Sequence, residues 1–175
     1  MTKQWAVDAA HSSVDFSVKH MMISRVKGSF HDFTADVEAD VSDLTTAKIN
    51  FKIDVNSIDT RSTDRDNHLR SPDFFDVENF PSITFTSTDA KKVGDDEYEL
   101  TGNVTIKEVT KKETFTVEYE GSGKDPWGNE KVGFTVNGKL NRKEYGLTWN
   151  QTLETGGVLV GEDIKINLQI QAQQA

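Results

Sequence analysis

The chain contains no cysteine, and this absence removes several kinds of chemistry. Disulfide bonds, thiolate nucleophiles and cysteine-ligated zinc sites are all excluded. The chain also lacks an apolar run long enough to cross a bilayer, which takes about 20 residues in a helix. Its first residues, Met1 to Asp8, do not contain the apolar core of a secretory signal. We therefore expect a cytoplasmic protein with no integral membrane segment.

Positive charge is scarce relative to negative charge. The chain has 20 Lys and Arg residues against 29 Asp and Glu residues, which gives a net charge of -9. Such a balance opposes binding to nucleic acid or to anionic membranes unless basic residues are concentrated in one patch. The pairs Lys91-Lys92 and Lys111-Lys112 stand beside turns and near acidic residues, as is typical of solvated strand ends. We therefore expect no nucleic-acid partner.

Alternation of apolar and polar residues dominates the remaining sequence. Eight stretches show it, and it indicates half-buried β-strands. In the clearest stretch, Ala47 to Ser57, Ile49, Phe51 and Ile53 share one face, and a slip of one residue would bury charged side chains instead. Short turns between the stretches predict an antiparallel meander, and eight tilted strands close into a barrel. The expected fold class is all-β, with one domain over residues 1–175 that forms an extended eight-stranded antiparallel barrel.

One irregular insert interrupts the strands. Ser62 has the side chain of a helix N-cap, and Ser71-Pro72 repeats that signal with proline at a first helical position. We therefore predict a short helical insert near residues 62–76. Phe74 and Phe75 need an apolar contact in this polar segment, and the open end of the barrel is the nearest one. The insert is expected to act as a plug or lid.

Strand length suggests the shape of a ligand. A strand of about eleven residues spans roughly 35 Å, so a tilted barrel leaves a lumen more than about 25 Å long. The inward-facing residues are rich in Phe, Ile and Val, which suits a hydrocarbon tail. The same residues would also fill a solid core, and periodicity does not distinguish a hollow barrel from a filled one.

The polar residues show little that resembles a catalytic or metal site. None of the four histidines stands at metal-ligand spacing, so no metal is expected. His11 is followed by Ser12, but neighbouring strand residues point to opposite faces and do not form a nucleophile and base. Arg142 shares the parity of the inward-facing Leu140. An inward arginine must pair with an acidic residue of the insert or meet a polar group of a ligand.

Several segments of the chain carry a family resemblance. They include His11-Ser12-x-Val14-x-Phe16-x-Val18-x-His20, Ser57-Ile58-Asp59-Thr60, Arg65-Asp66-Asn67-His68-Leu69-Arg70-Ser71, Asp73-Phe74-Phe75-Asp76, Pro81-x-Ile83-x-Phe85, Gly102 to Lys111 and Asn141-Arg142-Lys143-Glu144-Tyr145-Gly146. In this order they resemble the YceI-like family of polyisoprenoid-binding proteins, and the resemblance runs over nearly the whole chain.

The resemblance implies a lipocalin-like barrel that holds a long-chain lipid without transforming it. The implied ligand is a polyisoprenoid, such as an isoprenoid quinone, or a similar lipid, and the implied role is binding or transport. No catalytic residue and no cofactor besides the lipid are implied. Members of the family are often exported and often dimeric, so a homodimer is a further expectation for this chain.

The expected ligand contacts combine the inward-facing residues with the insert. Phe74 and Phe75 would close one end of the barrel, while Arg142, with His11 or His68, would meet a polar head group. The complete set of expected ligand-binding residues is Phe16, Val18, His20, Phe33, Phe51, Ile53, Phe74, Phe75, Phe85, Ile106, Phe134, Arg142 and Ile166.

Two alternatives stay open on the sequence. The first is a small-molecule hydrolase or isomerase, which requires a histidine within hydrogen-bond reach of a carboxylate at the barrel mouth. The second is a stress-related structural domain without a ligand, which requires tight interior packing and no continuous tunnel.

Overall fold

The fold of the chain is almost entirely β-sheet. The structure is a computed structural model that describes residues 2–21, 23–150 and 160–175. The strands within these residues are β1 Lys3–Val7, β2 Ser13–His20, β3 Ser24–Phe30, β4 Phe33–Asp40, β5 Asp43–Asp54, β6 Ile58–Asp59, β7 Ser82–Lys92, β8 Glu97–Ile106, β9 Val109–Lys124, β10 Glu130–Asn141 and β11 Val160–Gln174. One α-helix, α1 Thr63–Arg70, lies between β6 and β7.

The strands close into one antiparallel barrel. The order β1-β4-β5-β7-β8-β9-β10-β11 returns to its start because β11 also pairs with β1. The two strands β1 and β2 lie one after the other along the same edge of β11. Similarly, β3 continues into β4, since β2 pairs with β3 and β1 pairs with β4. The pairs β1–β2 and β3–β4 thus each form one long, interrupted strand of the barrel wall. With β5, β7, β8, β9, β10 and β11 they make eight antiparallel wall strands, which we call staves. The predicted eight-stranded barrel is confirmed.

Short polar interruptions divide the first two staves. The Asp8 carboxylate accepts the Ala10 N–H at 3.1 Å and starts a 3-10 turn between β1 and β2. The Ser57 hydroxyl accepts the Asp32 N–H at 3.0 Å between β3 and β4. On the edge away from β1 and β2, the end of β3 pairs with β6 of the insert, whereas β4 pairs with β5. The insert therefore enters the barrel wall at one end.

The clearest predicted strand has shifted bounds. It was expected from Ala47 to Ser57, but β5 runs over Asp43–Asp54. The Asp54 side chain accepts the Asn56 N–H at 3.0 Å and thereby ends the strand in a 3-10 turn. A turn that the sequence suggests at Gly156-Gly157 lies outside the described residues.

Gly102 shows why a missing side chain is needed inside a strand. A Cβ at this position would collide with the Phe85 ring and with the Thr86 carbonyl oxygen on the neighbouring strand. Glycine thus lets the Phe85 ring lie across β8, where it meets Phe115 edge-on with ring centroids 5.6 Å apart. This aromatic pair forms part of the inner wall of the barrel.

Candidate functional site in the barrel lumen

The barrel encloses a cavity of about 600 Å³. Its wall is almost wholly apolar and is formed by the inward-facing residues of every stave of the barrel. The volume lies within the range of about 300–1,000 Å³ that is typical of small-molecule sites. A domain with a tightly packed interior would not contain a cavity of this size, so the filled-core alternative does not fit the structure.

Inward-facing side chains also show that the barrel is hollow. Phe16, Phe51, Phe85 and Ile166 all line the cavity, yet none of them is fully buried. A side chain inside a filled core would lose nearly all of its exposed surface. The remaining surface of these residues faces the lumen, where a ligand could cover it.

One end of the lumen is closed by a compact cluster around Trp5. Its indole is 3% exposed, and its Nε1–H donates to the Ala39 carbonyl oxygen at 3.2 Å. Leu44, Val132 and Ala172 pack in the same cluster. Since the one polar atom of the indole is satisfied by the backbone, this end presents an apolar floor to the lumen.

The other end is covered by the insert. Helix α1 begins after Ser62, whose side chain accepts the Arg65 N–H at 3.4 Å, as its N-cap role predicts. The second predicted helical segment, after Ser71, is a series of hydrogen-bonded turns. Phe74 and Phe75 follow there and both line the cavity. The insert therefore lies over the lumen at this end, which we call the mouth.

Asp66 attaches α1 to the barrel wall. Its carboxylate is buried, and one oxygen accepts both the N–H of Thr60 at 2.8 Å and the Thr60 hydroxyl at 2.5 Å. Arg65 adds bonds from its guanidinium to the hydroxyl and the carbonyl oxygen of Thr60, at 2.8 and 2.6 Å. These bonds connect the helix to the chain directly after β6.

Replacing Asp66 with alanine should release this attachment. The variant leaves the Thr60 N–H buried without its acceptor, so the free energy of unfolding should fall by about 2–3 kcal/mol. The matched control is Asp64→Ala, because Asp64 is exposed and lies in the same helical turn. Urea unfolding followed by circular dichroism measures both variants, and an equal effect of the two changes would contradict the proposed attachment.

His68 is the best oriented polar group at the mouth. Its Nε2 lies 2.9 Å from an Asp73 carboxylate oxygen. Its ring meets Phe74 and Trp149 edge-on, with centroids 5.1 and 4.7 Å away. The histidine thus has a fixed ring position and one edge toward the lumen, which it lines.

Two further histidines have carboxylate partners away from the lumen. His11 is exposed and bonds Asp8 at 2.7 Å, which holds the pKa of that carboxyl below its usual range. His31 bonds Asp59 at 3.0 Å and lowers the pKa of Asp59 in the same way. Neither His11 nor His31 is part of the cavity wall. The structure therefore does not place His11 beside Arg142, as a shared contact with a head group would require.

Arg142 faces inward, but its hydrogen-bond partners within the protein are not the acidic residues of the insert. It is 3% exposed, and burial lowers the pKa of its guanidinium. Its N–H groups donate at 2.6 to 3.2 Å to the backbone carbonyl oxygens of Gly161, Leu147, Trp149 and Val160. The expected ion pair with the insert is thus replaced by four carbonyls, because the chain after β10 folds back around the guanidinium.

The other predicted contact residues mostly form one surface. Apart from Phe33, all of the expected ligand-binding residues line the cavity, including His20 and Arg142 at the mouth. Phe33 has the inward parity but is 7% exposed, because it stacks on Phe51 at a centroid distance of 5.7 Å and packs with Val55 and Ile58. Phe33 therefore belongs to this packed cluster and is not part of the cavity wall.

Some residues of the site carry no clear sequence signal. Trp149 lies in an irregular segment, and the sequence does not distinguish a ligand contact from a loop cover. In the structure it lines the cavity and lies against Phe74 with ring centroids 5.4 Å apart. Leu69 also lines the cavity, and it is the single apolar residue of α1, so no periodic pattern marks it in the sequence.

The described residues show neither a metal-binding cluster nor a helix suited to a membrane. Among the described residues, no group of three or more His, Asp or Glu side chains is placed to hold a metal ion. Within the same residues, no helix has the length and apolar content that crossing a membrane requires.

Comparisons with known proteins agree with this architecture. The family model described as YceI-like domain matches residues 5–172. A UPF0312 protein of Staphylococcus aureus is 46% identical over 159 residues, covering 90% of each chain. The crystal structure of Burkholderia cenocepacia BcnA has a TM-score of 0.83 at 24% identity and covers 94% of this chain and 98% of that one. A polyisoprenoid binding domain from Saccharophagus degradans, implicated in plant cell wall breakdown, has a TM-score of 0.70 at 12% identity and covers 98% of both chains.

Proposed function

Because the chain belongs to the YceI-like domain family, we propose that it is a non-catalytic carrier for a polyisoprenoid or a similar long-chain lipid. The observation that carries the proposal is the apolar cavity of about 600 Å³ between the Trp5 floor and the insert. The fold shared with the polyisoprenoid binding domain from Saccharophagus degradans supports the same ligand class.

The composition of the wall favours a hydrocarbon chain over a polar molecule. A polar ligand would need several donors and acceptors inside the lumen, since an unpaired polar group costs free energy when it is buried. The polar side chains of the cavity wall are concentrated near the mouth, among them His20, Arg65, His68 and Arg142. The lumen below them gains affinity by removing apolar surface from water.

The ligand should therefore bind with its chain toward Trp5 and its polar end at the mouth. His68 can exchange one hydrogen bond with a head group while Asp73 holds its Nε2. Arg142 has most of its N–H groups engaged by carbonyls, so its role at the mouth is to supply positive charge. A cytoplasmic location and a homodimer remain predictions from the sequence.

Extraction of the natively purified protein tests this function. Mass spectrometry of the organic extract should identify a long-chain prenyl or acyl lipid that copurifies with the barrel. Protein stripped of lipid should take up an added prenyl alcohol dispersed in detergent. The absence of a copurifying lipid together with no uptake would disprove the carrier function.

A second candidate is a hydrolase or isomerase that uses His68 and Asp73 at the mouth. It is favoured by one observation, the 2.9 Å contact between these residues beside the cavity. The His68→Asn variant separates the two functions. An enzyme would lose turnover of its small-molecule substrate in this variant, whereas a carrier has no turnover to lose.

A further inference from the structure

The hairpin of β2 and β3 carries exposed apolar residues at its tip. Ile23 is 83% exposed and Met21 is 42% exposed. Isolated exposed apolar residues are common on protein surfaces, so their exposure alone implies nothing. Their position is informative, because the preceding residue, His20, lines the cavity. His20 also pairs with Val160, whose carbonyl oxygen accepts a hydrogen bond from Arg142. The tip therefore stands directly at the mouth.

One edge of β3 has little strand pairing among the described residues. Within the described part of the chain, β3 has a second neighbour only at Ser29 and Phe30, where it pairs with β6. From Ser24 to Gly28 its pairing is with β2 alone. Among the described residues, this end of β3 thus has one edge without a strand partner, next to the mouth.

The charge of this hairpin is opposite to that of the whole protein. Residues 16–30 contain Lys19, Arg25 and Lys27 and no acidic residue, whereas the full chain has a net charge of -9. The sequence does not present these residues as a cluster, because they are spaced along two strands. The antiparallel pairing brings them together, since Lys19 lies opposite Arg25 and Ser17 opposite Lys27.

Neighbouring acidic residues do not neutralise the hairpin. Asp15, at its base, accepts the Ser29 hydroxyl at 2.6 Å. On the adjacent strand, Glu162 bonds Lys143 at 2.9 Å and Asp163 bonds Lys139 at 3.4 Å. In the described residues, neither Lys19 nor Lys27 has a carboxylate within ion-pair distance. The positive charge of the hairpin is therefore available to an external anionic surface.

From these features we propose that the tip of the β2–β3 hairpin docks on an anionic lipid bilayer and places the mouth of the barrel against the membrane. Met21 and Ile23 enter the interface, while the lysines and Arg25 lie at the level of the lipid phosphates. The negative charge of the rest of the chain keeps the other faces away from the membrane and so orients the barrel. The proposal rests on the carrier function for its purpose, because a lipid would enter or leave at this contact.

Vesicle flotation tests the docking with matched variants. The chain should bind vesicles of phosphatidylcholine mixed with phosphatidylglycerol more strongly than vesicles of phosphatidylcholine alone, and added salt should weaken the binding. Ile23→Asp should weaken it by about tenfold, since the apolar contact is lost and a negative charge is added. Trp127→Asp is its control, because Trp127 is also 83% exposed but lies in the β9–β10 turn at the far end of the barrel.

A second pair of variants tests the charge. Lys27→Glu should weaken binding to the mixed vesicles by roughly tenfold. Lys124→Glu makes the same change on an exposed residue at the far end and should leave binding unchanged. Equal binding to both kinds of vesicle, or equal effects of the near and far variants, would overturn the proposal. So would a vesicle-independent oligomer that Ile23→Asp dissociates, since the tip would then contact a second copy.

Lipid uptake from detergent separates this proposal from the carrier function. Uptake from detergent micelles requires no bilayer, so Ile23→Asp and Lys27→Glu should fill their lumen as the original chain does. Normal uptake with reduced vesicle binding supports the docking role. Normal vesicle binding by both variants with normal uptake overturns the docking role and leaves the carrier function standing.

Discussion

An Arg142→Met variant is expected to unfold with a free energy about 3–5 kcal/mol lower than that of the original chain. The guanidinium is buried and serves four backbone carbonyl oxygens from two separate segments of the chain. Methionine has similar length and no donor, so it leaves those carbonyls without the hydrogen bonds that the guanidinium supplies. A loss of this size approaches the whole stability of many domains.

Two control variants assign this effect to the hydrogen bonds. Lys143→Met removes an adjacent positive charge whose ion pair with Glu162 is exposed, and it should change stability by less than about 1 kcal/mol. Arg142→Lys keeps the charge but cannot reach four carbonyls with a planar fork, so it should recover only part of the loss. Urea unfolding measures all three variants. A near-neutral Arg142→Met would mean that the carbonyls find other partners.

An Ala35→Trp variant should lose at least about tenfold in lipid uptake while it keeps its fold. Ala35 lies on β4 opposite Phe51 and lines the cavity. An indole there occupies part of the 600 Å³ lumen that a hydrocarbon chain would otherwise fill. Loss of even a few buried methylene contacts costs about 0.8 kcal/mol for each CH₂, so displacement of a short piece of chain accounts for the tenfold change.

The neighbouring residue provides the control for this change. Thr34→Trp puts the same side chain on the outer face of the same strand, since Thr34 is exposed, and should leave uptake unchanged. If overpacking prevents the Trp variant from folding, Ala35→Leu can be used in its place. This smaller side chain should also lower lipid uptake, but by less. Circular dichroism and the melting temperature report the fold. Uptake that is unchanged in a folded Ala35→Trp barrel would place the lipid outside the lumen.

Local sequence signals predicted the barrel and the start of the insert well. The alternation of apolar and polar residues around Phe51 and Ile53 predicts which side chains point inward, because successive residues of a strand point to opposite faces. Ser62 could be identified as an N-cap because its contact, the Arg65 N–H, is three residues away. These features depend on residues that are close together in the chain.

Contacts between distant segments could not be predicted in this way. Phe33 has the correct parity for the lumen, but it packs with Val55 and Ile58 and does not line the cavity. The partner of His68 is Asp73, five residues later, while its aromatic contact Trp149 comes from the opposite end of the chain. Neither covering residues nor aromatic contacts across the mouth leave a periodic pattern.

The amino-acid sequence by itself determined the all-β class, the inward-facing set of apolar residues and the insert that interrupts them. Each of these follows from backbone geometry that repeats over two to four residues. Tertiary structure alone decided that the barrel is hollow, that Arg142 binds four carbonyls and that the cations of the β2–β3 hairpin stand together beside the mouth. Periodicity specifies the face on which a side chain lies, but the distance between opposite walls and the partners that meet across them depend on how the staves close.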